Sequence, residues 1–273
     1  MFLKLWKHEL RASGKLLGLL SAAALSLGVV GAVVLRLLTY LFEPNRVEEG
    51  ITPLLIVGLF LGLFFLMIAL MAYGFGVHIY LLWRFYKHKF TDEGYLTFTL
   101  PVRSHQIFFS ALANNLMWSV IVIVVTAAAI GIALLFGTGE DRLINTQVLS
   151  ELPGILEGVN SLYGELGSPV LNWLVTLTAL PCYMVLLMTC ITIGAVLAKK
   201  HKILAAFGIY YAVNMVLSIG QSILMIVVAA IFWKQELLAY NGTLGITLAT
   251  QLLLAAGCCW LSIWLTEKKL NLP

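Results

Sequence analysis

Charge is what this sequence has least of. Only 11% of its 273 residues are Asp, Glu, Lys or Arg, where an ordinary soluble domain carries about a quarter. The shortage is concentrated. Residues 16–35, 50–83, 104–139, 166–198, 203–233 and 237–266 contain no charged side chain. A surface helix of a soluble protein needs a polar back, and these runs have none. About 20 apolar residues carry a helix across the hydrocarbon core of a bilayer. Each run is long enough to cross once, and none is long enough to cross twice with a turn. The expected fold is all-α and polytopic, with six transmembrane helices.

Several chemistries are missing as well. No Gly-x-x-x-x-Gly-Lys-Ser/Thr phosphate loop occurs, since Gly14-Lys15 lacks both the leading glycine and the hydroxyl residue. There is no His-Glu-x-x-His, no Cys-x-x-Cys, and no pair of carboxylates inside a charge-free run. The chain is therefore not expected to be an enzyme or to hold a cofactor or metal of its own. Proton- and sodium-coupled carriers usually place ionisable groups near the membrane midplane, and here no Asp, Glu or Lys lies mid-span. Uphill transport would have to draw its energy from a partner. Cys182, Cys190, Cys258 and Cys259 all fall inside the apolar runs, so no extracytoplasmic disulfide framework is expected. No internal repeat or low-complexity segment is visible.

The charges that remain report topology. With a cytosolic N-terminus, the inner side holds Lys4, Lys7, Arg11, Lys15, Arg84, Lys87, Lys89, Arg103, Lys199, Lys200, Lys202, Lys268 and Lys269. The outer side holds Arg36, Arg46, Arg142 and Lys234. Thirteen basic residues against four obey the positive-inside rule at every loop. Both termini are expected in the cytosol, and the net charge of +4 carries no implication of nucleic acid.

Residues 1–15 read as an interfacial helix, with Phe2, Leu5, Trp6 and Leu10 on one face and Lys4, Lys7, His8 and Arg11 on the other. The rest, 16–273, reads as a single six-span domain. Ser21-Ala22-Ala23-Ala24 offers a signal-peptidase site, but the apolar core before it is short and continues past it. The first span is therefore expected over 16–42, retained, with Arg36 snorkelling at its outer end. The second span, 51–83, is longer than a bilayer needs and carries Gly58 and Gly62, a pair that admits a close neighbour helix. His78 near its inner end reads as an interfacial side chain. The extracytoplasmic segment 137–168 places Ile144, Val148, Leu152, Ile155, Val159, Leu162 and Leu166 three or four residues apart. It reads as amphipathic helices interrupted near Pro153-Gly154. A bend is expected at Pro181, and the sixth span is expected over 244–265.

Within the spans, neutral polar residues recur at helical spacing: Tyr211, Asn214, Ser218, Gln221 and Ser222; Asn115, Ser119 and Thr126 beside Asn114; Asn172, Thr176, Tyr183 and Cys190. Polar side chains avoid lipid, so these faces are expected to turn inward. Two readings stay open. The side chains bond helix to helix, or some of them (Asn115, Ser119, Asn214, Ser218 and Gln221) line a path for an amphipathic or apolar substrate.

The densest stretch is 84–104, where charges, aromatics and turn residues crowd between two apolar runs. Thr91 reads as an N-cap, and Asp92 and Glu93 sit in a first turn where the helix dipole favours them. Leu96 and Leu100 share a face and Pro101 stops the helix. A polar linker lying on headgroups is the plain alternative. The wording Phe90-Thr91-Asp92-Glu93-Gly94-Tyr95-Leu96-Thr97-Phe98-Thr99-Leu100-Pro101-Val102 closely resembles the first cytosolic loop of small bacterial ABC exporter permeases.

That resemblance implies a good deal. The loop would carry a short cytosolic coupling helix between spans two and three, with Thr91, Asp92, Glu93, Gly94, Tyr95, Leu96 and Phe98 docking on a separate ABC ATPase subunit. ATP and Mg²⁺ would be bound by that ATPase, not by this chain. Two permeases, identical or paralogous, would pair in a bacterial cytoplasmic membrane, spans one and five would form much of their interface, and residues 1–15 would be an elbow helix. Rivals from other classes are a membrane scaffold or sensor that anchors a cytosolic partner through the same loop, and a facilitative channel.

Overall fold

A computed structural model of the chain describes residues 2–41, 52–91, 94, 103–138, 150–151, 153–154, 157–158, 161, 168–198 and 201–268. They include six long helices: α1 (Phe2–Leu41), α2 (Thr52–Phe90), α3 (Ser104–Gly137), α4 (Pro169–Leu197), α5 (Lys202–Ile231) and α6 (Glu236–Lys268). All six are long and apolar enough to cross a membrane. The chain is a multi-pass, all-α membrane protein. Helices answer the demand of lipid that every backbone polar group be satisfied within its own segment. Their outward faces carry large apolar side chains, such as Leu54 at 76% exposure and Phe75 at 71%. Against acyl chains such a surface is at no disadvantage.

Several boundaries differ from the sequence reading. The helix does not end at residue 15: α1 runs unbroken from Phe2 to Leu41. No proline interrupts it, and the Ser13 hydroxyl donates to the Glu9 carbonyl at 3.0 Å, keeping even this polar residue within the helix. The Trp6 indole N–H is buried without a hydrogen-bond partner among the described residues. α2 extends seven residues beyond Trp83, to Phe90. α6 begins at Glu236, eight residues before 244. A tight turn brings the chain into it, with the Gln235 amide on the Phe232 carbonyl at 2.8 Å, and Glu236 suits the positive end of the new helix. Pro153 and Gly154 are themselves helical and exposed, and the residues beside them, 152 and 155–156, lie outside the described residues. The seven periodic apolar positions of 137–168 lie outside the described residues.

The chain divides into two units, Met1–Lys7, Leu82–Leu116 and Glu157–Pro273 in one, His8–Leu81 and Met117–Leu156 in the other. α1, α2 and α3 each contribute to both.

The second unit packs α1 on the N-terminal part of α2 and the C-terminal part of α3. Leu17, Ala24, Tyr73, Val77, Leu81, Trp118, Val122 and Ala129 form its core. α1 and α3 meet closely at Gly28, where an added Cβ would lie 2.6 Å from the Ala129 carbonyl oxygen and 2.7 Å from its Cα. Arg36 does not simply snorkel to water. Its guanidinium reaches the Phe136 carbonyl at 3.4 Å, at the negative end of α3, where a cation is favoured. By contrast Gly58 and Gly62 have nothing within 4 Å, so no described helix of this chain uses that pair.

In the first unit, α4 packs against both α5 and α6. Its core gathers Phe85, Phe90, Phe108, Leu112, Met184, Val185, Met188 and Ala195, with Phe85 edge-on to Phe90 at 5.7 Å and to Phe108 at 6.4 Å. α4 runs as helix through Pro181 and is buried along most of its second half. α5 is the opposite case. Only Ala206 and Val228 are buried, so it touches the rest of its unit along a narrow strip.

Candidate functional site

The end of α2 holds a buried, bonded polar cluster. Lys89 is only 3% exposed. Its ammonium donates to the Ile107 carbonyl at 2.7 Å and lies 4.6 Å from the centre of the Phe85 ring. A charge-assisted hydrogen bond and a desolvated cation–π contact each exceed an ordinary hydrogen bond in strength. Together they fasten the last turn of α2 to the first turn of α3. Lys202, which opens α5, donates to the Phe90 carbonyl at 3.2 Å. That carbonyl belongs to the orphan set at a helix C-terminus, where cations are favoured. Arg84 is buried here as well.

Two of the seven residues assigned to docking are described. The Thr91 hydroxyl donates to the Lys87 carbonyl, so it closes α2 from behind. The Gly94 amide bonds the Thr91 carbonyl at 2.7 Å. Gly94 is buried, and a Cβ there would meet the Lys89 carbonyl oxygen at 2.5 Å. A docking glycine would be open to a partner backbone. In the structure Gly94 is packed against the chain's own helix end. Asp92, Glu93, Tyr95, Leu96 and Phe98 lie outside the described residues.

The polar faces separate into distinct cases. In the first unit Asn115 is buried and its amide donates to the Met188 sulfur at 3.6 Å. The Gln221 amide donates to Thr247 on α6 at 3.1 Å. The Asn214 amide returns to the Tyr210 carbonyl of its own helix at 3.1 Å, and Ser218 is exposed, accepting at its carbonyl from Ser222. In the second unit Ser119 is fully buried and bonds His78 Nε2 at 3.1 Å, while His78 Nδ1 sits 2.7 Å from the Gly74 carbonyl. A carbonyl accepts only, so Nδ1 carries a proton. His78 is thus tied into the helix packing. Tyr73 bonds Ser21 at 2.8 Å, and the Trp118 indole donates to Ser13 at 3.0 Å.

The expectation that all these faces turn inward is corrected for α4 and α5. Thr176, Tyr183, Tyr211, Ser218 and Ser222 are exposed. The reason is the narrow strip on which α5 packs: no described helix of this unit covers its polar side. Of the five path candidates, Asn115, Ser119 and Gln221 bond between helices, and Asn214 and Ser218 make no such bond among the described residues.

Sequence reasoning misses the buried roles of Lys89 and Lys202, which in the sequence are only inward charges, and the pairing of Tyr183 with Tyr210. The two phenol oxygens are 2.7 Å apart and the rings meet edge to face with centroids at 6.1 Å. Their one signal is a tyrosine in each of two neutral runs. No family model, curated protein or solved structure matches the chain.

Proposed function

We propose that this chain is the membrane-spanning permease subunit of an ATP-driven ABC exporter. It moves an amphipathic or apolar substrate (a peptide, drug or lipid), and hydrolysis takes place on a separate ATPase that holds the ATP and Mg²⁺. The carrying observation is the end of α2. That helix is 39 residues long, about 58 Å at 1.5 Å per residue, nearly twice the hydrocarbon thickness. Its excess ends in a turn clamped by Lys89 and Lys202, and the connection that leaves it has the wording of a coupling loop. A connection meant only to join two spans needs no such clamp. ATPase closure would press on the clamped turn and shift the membrane helices between inward- and outward-open states.

The orientation that this reading needs has both termini in the cytosol of a bacterial cell. Cysteine probes at Lys87→Cys, Glu157→Cys and Lys200→Cys test it, in a chain with the four native cysteines replaced by serine. A membrane-impermeant maleimide on intact cells should label position 157 and spare 87 and 200. Labelling at 200 without labelling at 157 would overturn the orientation and the function with it.

Docking is tested by Glu93→Arg, since a partner surface that binds Glu93 should reject a cation. Copurification of the ATPase with tagged permease should fall by about tenfold or more, the equivalent of roughly 1.4 kcal/mol, while membrane insertion is unchanged. Equal recovery of the ATPase with the variant would remove the docking role. Gly94 is unsuited to the same test, because any side chain there collides with Lys89 first.

A second reading has support from the polar faces. Asn115, Ser119 and Gln221 are spent on bonds between helices, as a membrane scaffold anchoring a cytosolic partner would spend them. Vanadate-sensitive ATP turnover by the copurified complex, stimulated by substrate, separates the exporter from the scaffold.

A further inference from the structure

We infer that Tyr183 and Tyr210, with Asn214 beside them, form a membrane-facing binding site for a neutral amphiphile. The ligand has a small hydrogen-bonding head, an amide or a hydroxyl, on an apolar body.

Between Cys182 and Ala195, α4 is buried or half-buried at every position except Tyr183, which is 45% exposed. Its side chain lies along the α5 surface, where it meets the Tyr210 hydroxyl at 2.7 Å. Two phenols bring two protons to that pair, and one hydrogen bond uses one of them. The second O–H has no acceptor among the described residues. Asn214 lies one turn beyond Tyr210, and donates one amide N–H to the Tyr210 carbonyl at 3.1 Å. Its Oδ1 and its other N–H have no partner among the described residues. The site therefore offers one O–H donor, one carboxamide acceptor and one N–H donor.

Water would satisfy these groups near a membrane surface, but the depth argues against it. Tyr183 is the central residue of α4 (Pro169–Leu197), about 21 Å from either end at 1.5 Å per residue. Acyl chains cannot hydrogen-bond, and an unmet hydroxyl in hydrocarbon is costly. Phospholipid ester groups sit at the edge of the roughly 30 Å hydrocarbon layer, too far out to serve. What can reach the centre is a molecule whose polar head is small and uncharged. Charge is excluded from the other side too, since 166–198 and 203–233 contain no Asp, Glu, Lys or Arg to balance it. The flanks suit an apolar body: Phe207 is 71% and Tyr211 74% exposed on the same helix.

The site is a property of the chain alone and does not depend on an ATPase. Failure of the docking test would leave it standing.

The experiment uses the full chain in nanodiscs of phosphatidylcholine and phosphatidylglycerol, one copy per disc. The probe is a long-chain fatty amide with a photoreactive diazirine beside its head. After irradiation, mass spectrometry of peptides should find adducts concentrated around Tyr183 and Tyr210. Unlabelled oleamide or oleyl alcohol should compete, and octadecane should not. The Tyr183→Phe/Tyr210→Phe double variant keeps both rings and removes both partners of one bond, a change that is close to neutral for folding. It should lose labelling at this site by about three- to tenfold with an unchanged melting point. Adducts spread evenly over the exposed faces of all six helices would overturn the proposal, as would full labelling of the double variant. Labelling that vanishes when two copies share a disc would assign this face to a second copy of the chain and also overturn it.

Discussion

Gly28→Leu should be the most damaging single substitution in the second unit. An added Cβ at residue 28 lies 2.6–2.7 Å from backbone atoms of Ala129, and backbone cannot swing aside as the end of a side chain can. α1 and α3 would have to separate, opening the packing of Leu17, Ala24 and Trp118. Overpacking usually costs about 1–3 kcal/mol and occasionally more. With no flexible neighbour to yield, a loss of about 3 kcal/mol or more is expected. Thermal unfolding in detergent measures it. Gly58→Leu supplies the contrast: nothing lies within 4 Å of that position, and a surface change away from special features stays within about 0.5 kcal/mol. Similar melting points for the two variants would show that the close approach at Gly28 is not rigid.

Lys89→Met should also destabilise, for a different reason. Methionine retains much of the buried stem and removes the ammonium that bonds Ile107 and lies over Phe85. A hydrogen bond from a charged group is worth about 1.5–3 kcal/mol, and a desolvated cation–π contact adds up to about 2. The ammonium's own desolvation offsets part of this, and the Ile107 carbonyl left without its donor sets the expected loss at about 1–3 kcal/mol. Under the proposed function the same variant carries a second signature. If the clamp positions the connection for docking, Lys89→Met should lower ATPase copurification even at temperatures where it remains folded. Lys202→Met, which loses one partly buried bond to the Phe90 carbonyl, should show the same effect in weaker form. Unchanged melting of Lys89→Met would mean that its ammonium is not held as described.

The six spans are legible because lipid leaves the sequence so little choice. A crossing needs a minimum length free of charge, and both conditions can be read residue by residue. Helix ends are less legible. The start of α6 at Glu236 depends on a turn at Phe232–Gln235 whose backbone bonds leave little trace in composition. Residues 1–15 look like a separate piece because they carry charge and residues 16–35 carry none, yet a helix needs only the absence of a breaker to continue. Thr91 illustrates a third limit. A threonine before two acidic residues fits the start of one helix and the end of another equally well, and its hydroxyl closes the earlier one.

Polar partners are the least legible. Asn115, Ser119 and Gln221 are recognisable as residues that lipid would not cover, but which of them bonds a neighbour depends on which helices pack. α5 packs along so narrow a strip that Ser218 and Ser222 remain outside it. Lys89 and Lys202 are recognisable only as charges near a span end. Their burial depends on where α3 and α5 begin, which the charges themselves do not specify.

The close approach at Gly28 also fixes the register of α1 on α3 inside the second unit. Residue 28 faces the Ala129 backbone, and about two turns further on Arg36 meets the Phe136 carbonyl. Sliding α1 by one residue, about 1.5 Å and 100°, would take the glycine and the guanidinium off their partners together, with every side chain still present.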